Sequence, residues 1–398
     1  MTKRKELPTI MPSIHTFAIT GKIRNKYRTM AIDKAMHHAV LSGQYKWIRS
    51  HTIVKRGGGI QITLKFNTKA FGYDSVLIDN INLPRLTGDP SYLSLTDLSH
   101  EALRTQEEIL KQELFSLGIV WDSDDISFFL RRLDLTQDFY VKSDPSLIIR
   151  NLRFAGESGL FYGIHPDHFK KHNEKHSARW RYHLYNVNIY DKHAEIKHRQ
   201  ELYHNVPESD LMLSKNRLRY EVSLSREFLR IFEHRVHPAF FIGDFGIKIG
   251  ITPYFLEMAR YIPTILRNVS SELFGEYAWQ KVAYIQEQLD FARRVGIIDE
   301  KSCWMTEEYL CCLSSTEPFP LTPAKESTIR AVLDQLEVNR IVIPDRILTK
   351  RESCRFPCYP PGHFVQGEGE SIAFLNLPER SWERRQKIHP IHPKKTNR

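Results

Sequence analysis

The chain has 398 residues, of which 41% are hydrophobic and 11% aromatic, and this is ample for a packed core. With 26% charged residues, it does not have the composition of a disordered protein. The net charge of +10 indicates an anionic partner such as nucleic acid. The most apolar stretch, around residues 249–266, is broken by charged residues and prolines, so we expect no membrane span and no membrane partner.

The predicted elements alternate between strands and helices in the first part of the chain. They are a hairpin over 51–66 around three glycines, a helix over 97–117 ended by Gly118, a strand over 128–140, a short helix over 144–154, strands over 182–190 and 217–224, and helices over 226–236, 268–295 and 323–338. The first 240 residues therefore mix strands and helices, whereas the last 150 or so are mainly helical. We place a domain boundary between residues 240 and 275.

The cysteines and the N-terminus indicate the compartment. All five cysteines lie between residues 303 and 358, which favours a reducing compartment over a disulfide scaffold. No apolar run follows the basic N-terminus, so we expect no secretory signal. Cys354, Cys358 and His363 could bind a metal, but their spacing matches no common zinc pattern, and free thiols are the simpler interpretation.

The basic charge is concentrated in three segments. Residues 1–30 carry a net +6, residues 170–199 a net +5 and residues 379–398 a net +5, which leaves −6 on the rest of the chain. The two terminal segments are interpreted as solvated ends. The internal segment interleaves cations with aromatic residues, namely Arg179, Trp180, Arg181, Tyr182, Tyr185, Tyr190 and Lys192. Cations that bind phosphates beside rings that stack on bases are typical of single-strand binding, although a solvated basic face is the alternative.

Carboxylates on two predicted strands could converge on a metal ion. Because strand side chains alternate in direction, Asp134 and Asp138 share one face of the first strand. Arg219 and Glu221 share a face of another strand. If the strands are neighbours, their carboxylates suit Mg²⁺ or Mn²⁺, which would polarise a phosphodiester. The alternative is a structural network in which arginines such as Arg132 neutralise these acids.

A tyrosine between these strands is the candidate nucleophile. Tyr190 ends an alternating run and is followed by Asp191 and Lys192. A tyrosine hydroxyl is a weak nucleophile at neutral pH, but a nearby lysine or metal ion could activate it. A tyrosine at a strand end can also serve only in packing, and Tyr182 and Tyr185 are alternative nucleophiles.

Three motifs in a fixed order resemble one protein family. They are R-R-L-D-L-T-Q-D-F, V-N-I-Y-D-K-H-A-E and R-L-R-Y-E-V-S-L, and they begin at residues 131, 187 and 217. Together they resemble the gene II/X-type replication initiators of filamentous bacteriophages and related plasmids, which are rolling-circle nicking-closing enzymes. The stretch N-I-N-L-P-R-L-T-G at 80–88 is also similar to the family. The resemblance covers roughly residues 50–235.

The resemblance and the residue pattern together give an expected fold and domain organisation. The resemblance implies an α+β fold with a mainly antiparallel central sheet and flanking helices, and the pattern of the last 150 or so residues adds a mainly helical C-terminal region. The expected units are an N-terminal extension (1–50), a nicking and DNA-binding domain (51–240), a helical region (241–375) and a basic tail (376–398).

The resemblance also implies a reaction and its residues. A tyrosine would attack a phosphodiester of the replication origin, become linked to the 5′-phosphate and free a 3′-hydroxyl. Tyr190 matches this tyrosine, with Lys192 beside it, and Asp134 and Glu221 match the metal-binding acids, with Asp138 as a weaker candidate. The expected DNA contacts are Arg179, Trp180, Arg181, Arg132 and Arg219. The expected partners are origin DNA and a host helicase and polymerase, in the cytoplasm of a bacterial host.

The chain departs from many rolling-circle initiators in one respect. Those proteins bind metal through a histidine-hydrophobic-histidine motif, and this sequence contains no such triplet. We therefore expect carboxylates to bind the metal in place of histidines.

Two other functions remain open at this point. Asp167, Glu195 and Lys197 formally match the pattern of restriction-type endonucleases, which activate water with a metal ion. A non-enzymatic DNA-binding protein is the other alternative, in which the carboxylates are structural. The helix over 323–338 and the segment 341–348 could form a small DNA-reading module, although a packing helix explains the pattern equally well.

Overall fold

The structure is a computed structural model of the whole chain. It describes residues 12–67, 72–88, 97–121, 126–140, 145–146, 149, 176–182, 184–203, 206–236, 251–274, 280–314, 322–338 and 342–343. Most of the helix predicted over 144–154 lies outside these residues, as do the cysteine pair Cys354 and Cys358 and the basic tail.

Within the described residues, nine strands form one antiparallel sheet. They are β1 (Ser13–Ile23), β2 (Tyr45–Arg49), β3 (Thr52–Lys55), β4 (Gln61–Asn67), β5 (Gly72–Ile81), β6 (Ile126–Tyr140), β7 (Ser177–Arg181), β8 (Tyr185–Asp191) and β9 (Arg217–Leu224). Their order across the sheet is β2-β3-β4-β5-β1-β6-β9-β8-β7, and every pairing is antiparallel. The long strand β6 therefore lies between β1 and β9 in the interior of the sheet.

Helices flank the sheet and make up the C-terminal region. They are α1 (Lys26–Leu41), α2 (Leu83–Leu86), α3 (His100–Ser116), α4 (Lys192–Tyr203), α5 (Glu208–Leu213), α6 (Arg226–Val236), α7 (Ile251–Phe274), α8 (Val282–Arg294), α9 (Glu300–Ser314) and α10 (Pro323–Gln335). Two short strands, β10 (Gln280–Lys281) and β11 (Val342–Ile343), pair in parallel. The expected α+β class, with its antiparallel sheet and mainly helical C-terminal region, is confirmed.

Local residue signals account for several element boundaries. Gly57, Gly58 and Gly59 all have positive φ, which is the conformation the tight β3–β4 connection needs. Gly118 has a φ of +72° just past α3, as expected of a helix stop. The Thr322 side chain accepts a hydrogen bond from the Lys325 backbone N–H and caps α10.

Two predicted elements differ from the structure. The strand predicted over 182–190 corresponds to β8, which begins at Tyr185, and a further strand, β7, precedes it because Ala178 and Trp180 already alternate toward the core. The helix predicted over 268–295 is two helices: α7 already begins at Ile251, and β10 separates it from α8.

Two β-bulges shape the middle of the sheet. In the β1–β6 ladder, Ile14 pairs with Leu135 and Thr16 with Asp134, so His15 is an extra residue in β1. Further along the ladder, Ala18 pairs with Arg132 and Ile19 with Leu130, so β6 also contains an extra residue. A bulge changes which residues face each side of a sheet. This lets polar side chains of both strands gather on one face while their neighbours stay in the core.

The buried apolar residues form two clusters. The larger one joins the sheet to α1, α3, α6 and α7, and the Phe17 ring of β1 packs edge-on against Phe255 of α7 at 5.0 Å. The smaller cluster belongs to α8, α9, α10 and their connections. The division of the chain into domains stays a prediction, but α7, which lies beyond residue 240, shares the core of the sheet. None of the helices that the structure describes is long and apolar enough to cross a membrane.

Candidate active site

Three adjacent strands present a polar face opposite the core. Residues that pair across antiparallel strands lie on the same side of a sheet. The pairs on this face are Asp134 with Ser223, Thr136 with Glu221, Asp138 with Arg219, Asn188 with Glu221 and Tyr190 with Arg219. The alternate residues of β9 and β8 are apolar and buried in the core. The expectation that the two carboxylate strands are neighbours is met, since β6 and β9 are paired along eight residue pairs.

Asp134 and Glu221 form a buried carboxylate pair. Burial raises the pKa of Glu221 to about 7, and the nearby Asp134 carboxylate adds to the effect. Burial also raises the pKa of Asp134, although Arg132, with its Nε 3.1 Å from the carboxylate, acts in the opposite direction. The Thr16 hydroxyl donates to the same Asp134 carboxylate. A buried carboxylate whose ionisation is disfavoured by a second carboxylate forms a site at which a cation would be favourable.

The Tyr190 hydroxyl lies at this pair. Its oxygen is 3.4 Å from Glu221 Oε2, to which it donates a hydrogen bond, and only 9% of the residue is exposed. Burial raises the pKa of the tyrosine well above its usual range, and the negative charge of Glu221 raises it further. In this arrangement Tyr190 is neutral at physiological pH, and its proton is directed at a carboxylate oxygen.

Lys192 lies at the start of α4, directly after the strand that holds Tyr190. It is fully buried, with Nζ 2.7 Å from Glu195 Oε2 and 5.8 Å from the centre of the Tyr190 ring. Burial lowers the pKa of Lys192 to about 8, although the Glu195 carboxylate favours the charged form. The lysine therefore supplies a positive charge behind the tyrosine ring.

Asp138 belongs to a different arrangement from the one expected. Arg219 donates to it through Nε at 2.6 Å and Nη2 at 2.7 Å, and Arg217 forms a second, close ion pair with it. Burial would raise the pKa of Asp138, but the two arginines outweigh burial and hold the pKa below its usual range. Because both carboxylate oxygens accept hydrogen bonds from guanidinium groups, Asp138 is not available as the metal ligand that was expected.

The structure adds a histidine that the sequence did not indicate. His15, the extra residue of the β1 bulge, lies with Nε2 3.8 Å from Glu221 Oε2 and with Nδ1 3.2 Å from Arg219 Nη1. Burial lowers the pKa of His15 well below its usual range, and Arg219 lowers it further, so the ring is neutral. The one signal was a polar residue inside the apolar strand S-I-H-T-F-A-I, and this is too common a pattern to identify a site.

The segment after β5 holds the bulged strands in place. Asn82 donates a hydrogen bond at 3.2 Å to the backbone carbonyl of His15 and also caps α2. Asn80, in the left-handed conformation with φ of +51°, accepts from Arg132 Nη2 at 3.1 Å. The stretch at residues 80–88 thus contacts the site through Asn80 and Asn82 in this fold.

The expected DNA contacts divide by exposure. Trp180 and Arg219 are fully buried, so DNA could not reach either side chain in this fold, and we remove both from the expected contacts. Arg132 is one-third exposed but already pairs with Asp134 and lies 3.2 Å from Asp79. Arg179 is exposed on β7 and pairs in register with Asn188 on the polar face. The side chain of Arg181 lies outside the described residues.

The structure locates some residues of the alternative sites and leaves others outside its described part. Tyr185 is buried in the core and Tyr182 packs against its ring at 4.9 Å, so both lie away from the Asp134–Glu221 pair. Asp167 of the restriction-type pattern lies outside the described residues, and so do Cys354, Cys358 and His363. The remaining two residues of that pattern differ: Glu195 forms a salt bridge with Lys192, whereas Lys197 is exposed.

The carboxylate pair fits one mode of metal binding. Within the described part of the chain, no group of three or more His, Cys, Asp and Glu side chains is arranged to hold a metal ion. Mg²⁺ does not need such a group, since it is usually bound by one or two carboxylates together with substrate phosphates and water. Asp134 and Glu221, of which the first raises the pKa of the second, fit that mode of binding.

Comparisons with known proteins give a sparse result. No protein-family model matches the chain, and no curated protein matches it. Among solved structures, the chain is similar to the rolling circle replication initiator protein from Geobacillus stearothermophilus, with a TM-score of 0.26 and 10% identity. The match covers 57% of this chain and 80% of that chain. A likeness at this level carries no argument about function, so function is inferred from the site.

Proposed function

We propose that the protein initiates rolling-circle DNA replication by nicking one strand at an origin and joining it to Tyr190. One observation carries the proposal: the Tyr190 hydroxyl donates to Glu221, and the Asp134 carboxylate on the same polar sheet face lies near enough to raise the pKa of Glu221. A buried nucleophile beside a carboxylate pair is an arrangement suited to phosphodiester transfer. The three sequence motifs that supply these residues occur in the order found in phage and plasmid initiators.

The chemical step is a transfer of one phosphodiester to the tyrosine. Tyr190 Oη forms a bond to phosphorus while the bond from phosphorus to the 3′-oxygen breaks, and the leaving 3′-oxygen takes up the proton that Tyr190 gives to Glu221. The product is a 5′-phosphotyrosine and a free 3′-hydroxyl. The proton of Tyr190 passes to Glu221 Oε2, to which the hydroxyl already donates. A later attack by a 3′-hydroxyl on the phosphotyrosine reverses these bonds and closes the strand.

The surrounding cations offset the charge that develops on phosphorus. Lys192 is held by Glu195 directly behind the Tyr190 ring. Its fixed position means that little reorganisation is needed as the pentavalent phosphorus forms. Arg219 is held by Asp138 and serves as a fixed positive charge beneath the site.

Asp134 and Glu221 are the proposed ligands of Mg²⁺ or Mn²⁺. Such an ion would polarise the phosphoryl oxygen of the bound strand. It would also neutralise the two carboxylates, of which Glu221 otherwise disfavours ionisation of Tyr190.

Plasmid nicking tests the proposal. The protein is incubated with Mg²⁺ and a supercoiled plasmid that carries the origin of its own replicon, and the products are separated on denaturing gels. We expect a nicked strand linked to protein, and we expect both the nick and the link to disappear in Tyr190→Phe. This variant keeps the ring and its packing but removes the nucleophilic oxygen.

The controls separate the alternatives. Tyr182→Phe and Tyr185→Phe, which change hydroxyls away from the carboxylate pair, should leave the adduct intact. Nicking that persists in Tyr190→Phe would overturn the proposal. Binding without cleavage in either metal would leave a non-enzymatic DNA-binding protein.

A further inference from the structure

Arg199 lies at the outer end of a row of charged side chains on α4. It lies on α4 with Lys192 and Glu195, at positions separated by three and then four residues, so the three side chains share one helix face. Lys192 is fully buried at the inner end of this row, whereas the Arg199 side chain is 33% exposed at the outer end. The row therefore leads from the tyrosine to solvent.

The guanidinium of Arg199 is only partly engaged. It forms a close ion pair with Glu195 through Nε, and the other oxygen of that carboxylate is held by Lys192. Among the described residues, Arg199 makes no other hydrogen bond or ion pair, so its two terminal nitrogens have no partner there. One carboxylate shared by two cations also leaves one positive charge in the row without a partner.

Arg132, at the same site, has a partner for every nitrogen of its guanidinium group. Its Nε lies 3.1 Å from Asp134, one terminal nitrogen lies 3.2 Å from Asp79, and the other donates to Asn80 at 3.1 Å. Arg132 and Arg199 are similarly exposed, but only Arg199 has its paired terminal nitrogens available. Two parallel N–H groups are the arrangement that binds a phosphate through two hydrogen bonds.

We infer that Arg199 binds a backbone phosphate of the DNA strand next to the phosphodiester that Tyr190 attacks. The inference rests on the proposed function for its ligand, and it assigns a phosphate-binding role that the sequence motifs did not indicate. The charge of Arg199 is felt at Lys192. Burial lowers the pKa of Lys192 most, and the charges of Arg219 and Arg199 lower it further. The site would thus hold the strand on its α4 side independently of base sequence.

The test measures binding with the nucleophile removed. In a Tyr190→Phe background, the affinity for a fluorescein-labelled oligothymidylate of about 20 nucleotides is measured by anisotropy at several salt concentrations. We expect Arg199→Gln to weaken binding about tenfold at low salt. The slope of log K against log salt should fall by about 0.7, the value for one lost phosphate contact on a single strand.

Two further variants distinguish a phosphate contact from a structural role. Lys197→Gln removes the same charge from the outward face of the same helix and should change the affinity less than twofold. Arg199→Lys should keep the salt slope and lose part of the affinity, and it provides a second measurement should Arg199→Gln fold poorly.

The outcomes separate this inference from the proposed function. Equal affinity and equal salt slope in Arg199→Gln and Lys197→Gln would overturn the role of Arg199, whatever the result of plasmid nicking. Loss of binding in Arg199→Gln with no cleavage by the otherwise unchanged protein would retain the phosphate contact and overturn the nicking mechanism.

Discussion

Two aspartates on the same strand have opposite environments. Asp138 and Asp134 both lie on β6, on the same polar face and both buried. Asp138 is held between Arg217 and Arg219, and these arginines keep its pKa low. Asp134 lies beside another carboxylate, Glu221, and burial raises its pKa.

The difference indicates a structural role for Asp138 and a role in binding or catalysis for Asp134. The Asp138 carboxylate has its hydrogen bonds made by two arginines, so it serves to fix Arg219 under the site. The Asp134 group is left with negative charge that the protein neutralises only in part. An arrangement that costs stability in the free protein is typical of a site that binds a cation or a reacting group.

The largest expected effect is a difference in the free energy of unfolding between variants of the two aspartates. Asp138→Asn should lower the free energy of unfolding by about 3–5 kcal/mol, because it leaves buried arginines without their carboxylate. Asp134→Asn should change it by less than about 1 kcal/mol, since it removes a charge that burial disfavours. Urea unfolding at neutral pH without divalent metal measures both. Equal losses would contradict the distinction between the groups.

The second expected effect is on the pH dependence of stability. Because the pKa of Glu221 is raised from 4.5 to about 7, the folded state binds more protons than the unfolded state in that range. Stability should therefore fall as pH rises from 4.5 to 7, by about 2–3 kcal/mol. Glu221→Gln should remove most of this fall when unfolding is followed with EDTA present. A wild-type protein with no such fall would contradict the assignment.

Asp138 gives the opposite sign and acts as an internal comparison. Its pKa is lowered on folding, so its stabilising contribution is present above the usual aspartate pKa of 3.8 and is lost as pH falls through its lower folded value. Acid unfolding of the wild type should be steeper at low pH than that of Asp138→Asn. In a plot of unfolding free energy against pH, Glu221→Gln should therefore flatten the range from 4.5 to 7, and Asp138→Asn should flatten the acid range below it.

A third effect, of similar size, is expected from added metal. Mn²⁺ at about 100 times its dissociation constant should stabilise the wild type by about 2.7 kcal/mol, seen as a rise in melting temperature. Asp134→Asn and Glu221→Gln should abolish this rise. Asp79→Asn, which alters a carboxylate that faces Arg132, is the matched control and should retain it. Equal stabilisation of all variants would place the metal elsewhere.

The smallest expected effect tests the restriction-type alternative. Lys197 is exposed on α4, so Lys197→Gln should leave plasmid nicking within about twofold of wild type, as expected of a surface substitution. A hydrolytic mechanism through Lys197 requires nicking to collapse in this variant.

Much of the fold could be predicted from residue patterns. Alternating residues identified β6 and β9, and Gly118 and Thr322 marked the ends of helices. These signals are local, so they do not depend on tertiary structure. Two predictions failed where the pattern was interpreted too narrowly: the alternation that continues into β7, and the break between α7 and α8.

The site was less accessible from sequence, because its geometry depends on long-range pairing. Strand alternation put Asp134 and Asp138 on one face. Only the pairing of β6 with β9 shows that Arg217 and Arg219 form ion pairs with the Asp138 carboxylate. His15 is brought to Glu221 by a bulge, and a bulge depends on the register between two strands more than 100 residues apart. Trp180 fitted a base-stacking pattern by composition, yet its position in β7 turns it into the core.

The most direct test of the central claim is to locate the covalent bond. The protein–DNA adduct is isolated after reaction with its origin DNA, digested with nuclease and protease, and mapped by mass spectrometry. A nucleotide attached through phosphate to the peptide that contains Tyr190, and to the oxygen of that residue, is the predicted result. Attachment to Tyr182 or Tyr185, or nicked DNA with no attached nucleotide on any peptide, would contradict it.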